Sequence, residues 1–327
     1  MRTSRIKITP QEGLAVYHCI SRTVNGERLF DETAREMFRR QMWQIAEFCG
    51  VQILTYAVLS NHFHILVLVP RAVAVSDNEL LRRYKLLHPQ PTKYQVAKLD
   101  VLEKKLVAGD DDMRAWRQRQ FALMGDVSQF MKLLKQRFSV WFNHAHQRYG
   151  TLWSERFKSV LVENGPVLRA VAAYIDLNPV RAGLVADPKD YRFCGYAEAV
   201  AGNKKLRQSL AITLEQTDWG TAHKSYRQML YNTGAKAKSN AVTLTAAQVE
   251  RVIKEQGSLP VTELLRCRVR YFTDGAVLGG KAFVTRQLER YHQRTGRREH
   301  AIPHALPVTV SGLELATMRG LRRRVFG

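Results

Sequence analysis

The chain has little cysteine, little acid and no long apolar run. Its four cysteines, Cys19, Cys49, Cys194 and Cys267, are scattered through 327 residues with no CxxC spacing. That pattern excludes a disulfide framework and the usual zinc-site spacings, and reduced thiols in a cytosolic protein are expected. No apolar stretch reaches the roughly 18 residues that a membrane-spanning helix needs. The opening residues, MRTSRIKITPQEG, lack the apolar core of a secretory signal, so none is expected. No internal repeat is visible. Acid is scarce against base: 29 Asp and Glu face 51 Lys and Arg, a net charge of +22, with a pI near 10.1. Such an excess favours a polyanionic partner, nucleic acid first and an anionic membrane surface as the competing reading.

What is present suits a globular protein: 45% hydrophobic and 24% charged residues, enough for a packed core. The length implies two domains, or one with large insertions. LAVYHCISRTV (14–24) reads as a strand and is followed by an Asn25-Gly26 turn. The segment 31–50 reads as a helix capped by Asp31 and stopped by Gly50. VQILTYAVL (51–59) and NHFHILVLV (61–69) read as a tight hairpin around Ser60-Asn61, ended by Pro70. A charged helical arm is expected over 71–125. Next come an amphipathic helix over 126–150, a short strand at 156–163 and a helix at 164–183 that breaks near Asn178, before Pro179.

The order β-α-β-β-α-β-α is the ferredoxin-like pattern, an α+β fold with one antiparallel sheet and helices on one face. The third strand is then central, in keeping with its apolar residues on both faces. Residues 1–200 form this domain. A linker (GNKKLRQ) and a helix are expected over 201–242. A basic, mostly helical extension is expected over 243–327, with turns at Asp274-Gly275 and Gly279-Gly280.

The third strand poses the chemical question. Strand side chains alternate, so His62 and His64 share a face, with Cα atoms roughly 6.5–7 Å apart. Two imidazoles in a central strand must find partners, and a metal ion satisfies both at once. Two strand histidines bonded to their neighbours is the plainer alternative. In YIDLNPVRAG (174–183), Tyr174 and Asn178 are four apart and face the same way. Two imidazoles plus a hard amide oxygen, with positions left open, suit Mg²⁺ or Mn²⁺ better than structural zinc. Tyr174 taken alone reads as a core aromatic. Tyr149, Tyr191 and Tyr17 are rival tyrosines with no metal-ligand partner one turn away, and Tyr149 reads as a packing residue. His144 and His146 face different directions on their helix. His18 could line the sheet beside the site, with core burial or surface exposure as the plainer reading.

HFH on the third strand, RYGTLWSERFKSVLVE and AYIDLNPVRAGLV together resemble the single-tyrosine HUH transposases, and within them the REP-associated tyrosine transposases. The resemblance covers roughly residues 10–200. It implies that His62 and His64 bind the metal, that Asn178 is a third ligand and that Tyr174 is the nucleophile. It also implies the reaction: attack of Tyr174 on single-stranded DNA at hairpin sites, giving a 5′-phosphotyrosine and a free 3′-OH that can be rejoined. Arg156, Lys158 and Arg181 flank these motifs and are expected to hold phosphates. A cytoplasmic, nucleoid-associated protein is implied, a monomer rather than a homodimer.

The DNA surface is expected on the arm and the following helix. Lys132, Lys135 and Arg137 would follow the phosphates there, with Trp116, Tyr84 and Tyr94 stacking on bases. In the extension, Arg266, Arg268 and Arg270 alternate. That region reads either as an accessory duplex- or hairpin-binding unit or as a tail that blocks the site. Other functions stay open: a non-catalytic hairpin-binding protein, or a replication initiator or relaxase. An RNA-binding sheet ranks lower, because the third strand shows histidines where stacking aromatics are needed.

Overall fold

The computed structural model describes residues 6–8, 13–71, 74–108, 112–234, 259–260, 272–296 and 302–320. The expected core order is present: β1 (Ala15–Arg22), α1 (Glu32–Cys49), β2 (Gln52–Val58), β3 (His62–Val69), α5 (Val127–Ala145), β4 (Lys158–Val162) and α6 (Pro166–Asp176). Asp31 caps α1 by accepting from the Ala34 amide at 2.7 Å. Gly50 stops it with φ 65°, a conformation that costs other residues strain. Asp126 caps α5 through the Ser128 and Gln129 amides. The β2–β3 turn closes with the Leu59 amide on the His62 carbonyl at 2.9 Å.

Within this core the strands lie in the order β2-β3-β1-β4, all antiparallel. The two central strands, β1 and β3, are almost wholly buried. One face of the sheet carries α1 and α5. Phe38 of α1 meets Phe63 of β3 at 4.6 Å between ring centroids and Phe138 of α5 at 5.1 Å. The sequence places the helices on one face, but α6 lies on the other. Asp176 at its end accepts from Thr55 of β2, and Thr55 pairs with Leu66 on the side opposite Phe63. A helix with two buried sides needs a second apolar layer, and α6 has one: Val167 through Asp176 are buried, apart from Arg169.

The arm forms α2 (Asp77–Leu86), α3 (Lys93–Ala108) and α4 (Asp112–Phe121). It has its own apolar cluster of Leu80, Leu81, Leu102, Leu106, Met113 and Trp116. After α6 come α7 (Asn178–Arg181), α8 (Gly195–Val200), α9 (Lys204–Thr213) and α10 (Trp219–Gly234). The helix break falls at Leu177, one residue before Asn178. The expected linker GNKKLRQ is instead the start of α9: Asn203 caps it and Leu206 and Leu210 are buried, so its lysines mark a solvated face. Gly195 lets the start of α8 approach β2, since a Cβ there would sit 2.3 Å from Thr55 Oγ1.

The extension does more than add helix. It contributes β5 (Leu259–Pro260), β6 (Val277–Gly280), α11 (Lys281–Thr295), β7 (His304–Val310) and β8 (Leu313–Thr317). β6 pairs in parallel with β4, so the sheet continues to eight strands, β2-β3-β1-β4-β6-β8-β7-β5. The Gly279-Gly280 pair therefore lies in a strand and not in a turn. Gly280 donates its amide to the Glu163 carboxylate at 2.7 Å, which fastens this seam. The first part of the expected helical extension, residues 244–257, and the alternating arginines Arg266, Arg268 and Arg270 lie outside the described residues.

Candidate active site

The strand register builds the site. In the β1–β3 ladder, Ile20 faces His64 and Arg22 faces His62. In the β1–β4 ladder, Lys158 faces Ile20. His18, two residues before Ile20, shares their face. His18, His62, His64, Arg22 and Lys158 thus project from one side of the sheet, the side that α6 covers.

The two strand histidines lie 5.2 Å apart between ring centroids. Each is held through Nδ1. The Asn61 amide nitrogen donates to the Gly26 carbonyl at 2.9 Å, which turns its oxygen toward His62. His62 Nδ1 meets that oxygen at 2.6 Å and must donate to it. His64 Nδ1 meets His18 Nε2 at 2.9 Å, and His18 Nδ1 meets the Phe272 carbonyl at 2.7 Å. Burial pushes the His18 imidazole down to about 4, against the Phe272 carbonyl that holds its proton. Burial likewise drives His64 well below the ordinary range, with His18 and His62 adding to the effect. All these directions favour neutral rings.

Tyr174 closes the site from α6. Its ring lies edge-on to His64 at 5.9 Å and to His18 at 6.1 Å. The Arg181 guanidinium sits 4.2 Å over the Tyr174 ring and also donates to the Tyr174 carbonyl. The Phe272 ring packs against it at 4.9 Å, and only 6% of Tyr174 is exposed. The helix is held in place by Asp176, which is fully buried. It accepts from Thr55 Oγ1 at 2.6 Å, the Tyr226 hydroxyl at 2.5 Å and the Tyr196 amide at 3.2 Å. Burial raises its carboxyl to about 6, against the pull of these donors.

The structure thus brings His62, His64, Tyr174, Arg181 and Lys158 to one face. Asn178 is turned onto its own helix, where its amide nitrogen donates to the Tyr174 and Ile175 carbonyls at 3.1 and 3.2 Å. That is a capping geometry, and only the amide oxygen is then left to meet a cation. No group of three or more His, Cys, Asp or Glu able to hold a metal occurs among the described residues. The residues that could hold a cation are the two imidazoles, with the Asn178 amide oxygen as the expected third donor. That set fits a hard cation that completes its shell with water and substrate oxygens.

The expected DNA cations divide. Lys132 and Arg156 are exposed. Lys158 pairs with Glu155 at 3.4 Å, while Lys135 donates to the Glu155 carbonyl at 2.8 Å and lies 5.0 Å over the Trp153 ring. Arg137 is a structural residue: it is half-buried and donates to the Leu87 carbonyl, tying the arm to α5. Burial lowers its pKa. In the arm, Arg82, Arg83, Lys85 and Arg117 are ion-paired to Glu79 and Glu47, Glu79, Glu103 and Asp77 respectively. Trp116 belongs to the arm's own core, so it does not stack on bases, whereas Tyr94 is 89% exposed.

Among the rival tyrosines, Tyr17 and Tyr191 are buried structural groups, Tyr191 donating to the Val58 carbonyl at 2.7 Å. Tyr149 is 95% exposed and does not pack. Sequence reasoning set His18 beside the site only as the lesser alternative to burial, and missed Arg22 and Phe272. His18 and Arg22 come beside the pair through the β1–β3 ladder, in which Arg22 faces His62 and Ile20 faces His64. Phe272 had no signal, because it arrives through a contact 254 residues distant from His18.

Comparison with known proteins adds a family over part of the chain. Residues 13–88 match the family model described as "Transposase IS200 like". The match spans β1 to α2 and includes the histidine pair but not Tyr174. Five chains of known structure match. One is "Structure of the REP associates tyrosine transposase bound to a REP hairpin", 17% identical, covering 62% of this chain and 86% of that one, with a TM-score of 0.37. No curated protein matches. No helix among the described residues is long and apolar enough to cross a membrane.

Proposed function

With an IS200-like transposase signature over residues 13–88 as the premise, we propose that the chain is a strand transferase acting on single-stranded DNA at hairpin sites. One observation carries this reading: the tyrosine helix lies on the histidine face of the sheet, with Tyr174 in edge contact with His64. The Tyr174 oxygen attacks a phosphodiester in line. A bond from that oxygen to phosphorus forms, the bond from phosphorus to the 3′ oxygen breaks, and the phenolic proton ends on the departing 3′-OH. The 5′-phosphotyrosine keeps the energy of the diester, so the reverse attack rejoins strands without a nucleotide cofactor.

His62 and His64, with the Asn178 oxygen, would hold Mg²⁺ or Mn²⁺. The ion supplies a positive charge that polarises the scissile phosphate. Arg181, over the Tyr174 ring, offsets negative charge as it builds on the phenolic oxygen. Arg22 and Lys158, on the same face, and the exposed Arg156 would hold neighbouring phosphates. With Tyr174 only 6% exposed, entry of DNA requires the Arg181 guanidinium or the Phe272 ring to swing aside. A monomer suffices, since His62, His64 and Tyr174 come from one chain.

The test is a cleavage assay. Labelled single-stranded DNA carrying the palindromes that flank the gene is incubated with the protein in Mg²⁺, Mn²⁺ or EDTA, beside Tyr174→Phe. A metal-dependent covalent adduct that Tyr174→Phe abolishes is the expected result. Hairpin binding with no adduct in either metal would make the chain a non-catalytic hairpin-binding protein.

A further inference from the structure

His18 has no place in the mechanism above, yet it is completely buried and makes two directed hydrogen bonds. A histidine on a central strand between two apolar helix layers is expensive unless both ring nitrogens are satisfied. Here both are, and the identities of the partners fix where the protons sit. The Phe272 carbonyl can only accept, so His18 Nδ1 carries the hydrogen of that 2.7 Å contact. A neutral ring then has a lone pair on Nε2. The only way to make the 2.9 Å contact with His64 is for His64 Nδ1 to donate. His64 is therefore held as the Nδ1–H tautomer, with its own lone pair on Nε2. The chain of bonds runs from His64 Nδ1–H to His18 Nε2, and from His18 Nδ1–H to the Phe272 carbonyl.

We propose that His18 is a positioning residue for the cation site: together with the Phe272 carbonyl it locks the tautomer and ring plane of His64 so that Nε2 is the atom offered to the ion. The inference rests on the functional reading above, in which His64 is a metal ligand. It accounts for the ring arrangement, an edge-to-edge pair with His18 and His64 centroids at 5.1 Å and planes only 29° apart. It also gives the C-terminal region a chemical role. Phe272 reaches the site from beyond the ferredoxin-like core and supplies the acceptor at the end of the relay. Outer hydrogen-bond partners of this kind orient a ligating imidazole and raise its basicity, and their loss weakens metal affinity by roughly 10–100-fold.

The test compares His18→Phe, which keeps a ring of similar size but offers no acceptor, with His18→Gln. The Gln side chain holds an acceptor and a donor side by side, as the imidazole does. Mn²⁺ affinity is measured by calorimetry on the full-length protein, and the His64 tautomer is read from imidazole ¹⁵N shifts in the metal-free state. Thermal melts verify that each variant is folded. Wild type should show His64 with a protonated Nδ1 and bind Mn²⁺. His18→Phe should shift His64 toward the Nε2–H form and weaken Mn²⁺ by roughly 10–100-fold. His18→Gln should restore both to near wild type.

Unchanged tautomer and affinity in folded His18→Phe would overturn the positioning role while leaving the functional reading intact. Weakened binding in both variants, without rescue by Gln, would reduce His18 to a packing residue. Wild type that binds no Mn²⁺ and forms no DNA adduct would overturn the functional reading itself, and the positioning role with it.

Discussion

The two faces of the ferredoxin-like sheet are built from opposite materials. Under α1 and α5 lies an aromatic layer in which Phe30, Phe38, Phe63, Phe138 and Trp153 interlock at 4.6–6.4 Å between centroids. Under α6 the same strands present His18, His64 and Thr55, all buried, beneath a helix that carries Tyr174 and Asp176. The first face holds together by apolar burial and shape. The second adds to its own apolar contacts, Leu66 and Val160 among them, hydrogen bonds whose donors and acceptors must match one by one. A strand alternates between these worlds at every residue, so Phe63 anchors the fold while His62 and His64 on either side are directed to the site. Stability and chemistry are thus separated by the thickness of one sheet.

Mutations should keep that separation visible. The largest effect is on chemistry alone: Tyr174→Phe should reduce covalent DNA adduct below detection, and its melting temperature should move by no more than a few degrees. Next, Phe38→Ala on the aromatic face should cost about 3–5 kcal/mol in urea unfolding, while Mn²⁺ affinity of the folded fraction stays as in wild type. An equal loss of both would show that the faces are coupled. Third, Tyr226→Phe removes a donor from the buried Asp176 carboxylate. A lost bond to a charged group predicts roughly 1.5–3 kcal/mol of destabilisation. Because that network seats α6, adduct formation should also slow, measured as a single-turnover rate.

The smallest effect is at the outer rim of α1. Hydrogen bonding from Arg39, chiefly, holds Glu36 down at about 2, against an ordinary value of 4.5. A carboxyl with a depressed folded pKa stabilises the fold above the unfolded value, and the contribution is lost as pH falls through the folded one. Glu36→Gln should therefore be less stable than wild type near neutrality, by no more than about 1 kcal/mol. The two should converge as pH drops from about 4.5 toward 2.

Much of the core was legible because its signals are local. Asp31 and Gly50 bound α1, Asp126 starts α5, and the alternation in HFHILVLV puts both histidines on one face. What was not legible depends on what packs against what. Nothing in GNKKLRQ announces that Leu206 and Leu210 face a core, so α9 read as a linker. Trp116 and Arg137 read as DNA contacts because type alone does not reveal burial. The spacing sets Asn178 facing the way of Tyr174, but it follows the break at Leu177 and its amide nitrogen turns back to the Tyr174 and Ile175 carbonyls. Strand β6 was missed since its partner β4 is distant in sequence, whereas β7 and β8 pair with each other across the Ser311-Gly312 turn, a local hairpin that the expectation of a helical extension passed over. Phe272 is the extreme case: its role exists only after that pairing brings it beside His18.

The most direct measurement is to map the covalent bond itself. The protein is incubated with hairpin-bearing single-stranded DNA and Mn²⁺, the complex is denatured and digested, and the peptide carrying a nucleotide 5′-phosphate is identified by mass spectrometry. The account predicts a modified peptide containing Tyr174. Modification at the solvent-exposed Tyr149, or no modified tyrosine in a preparation that binds the same DNA, would contradict it.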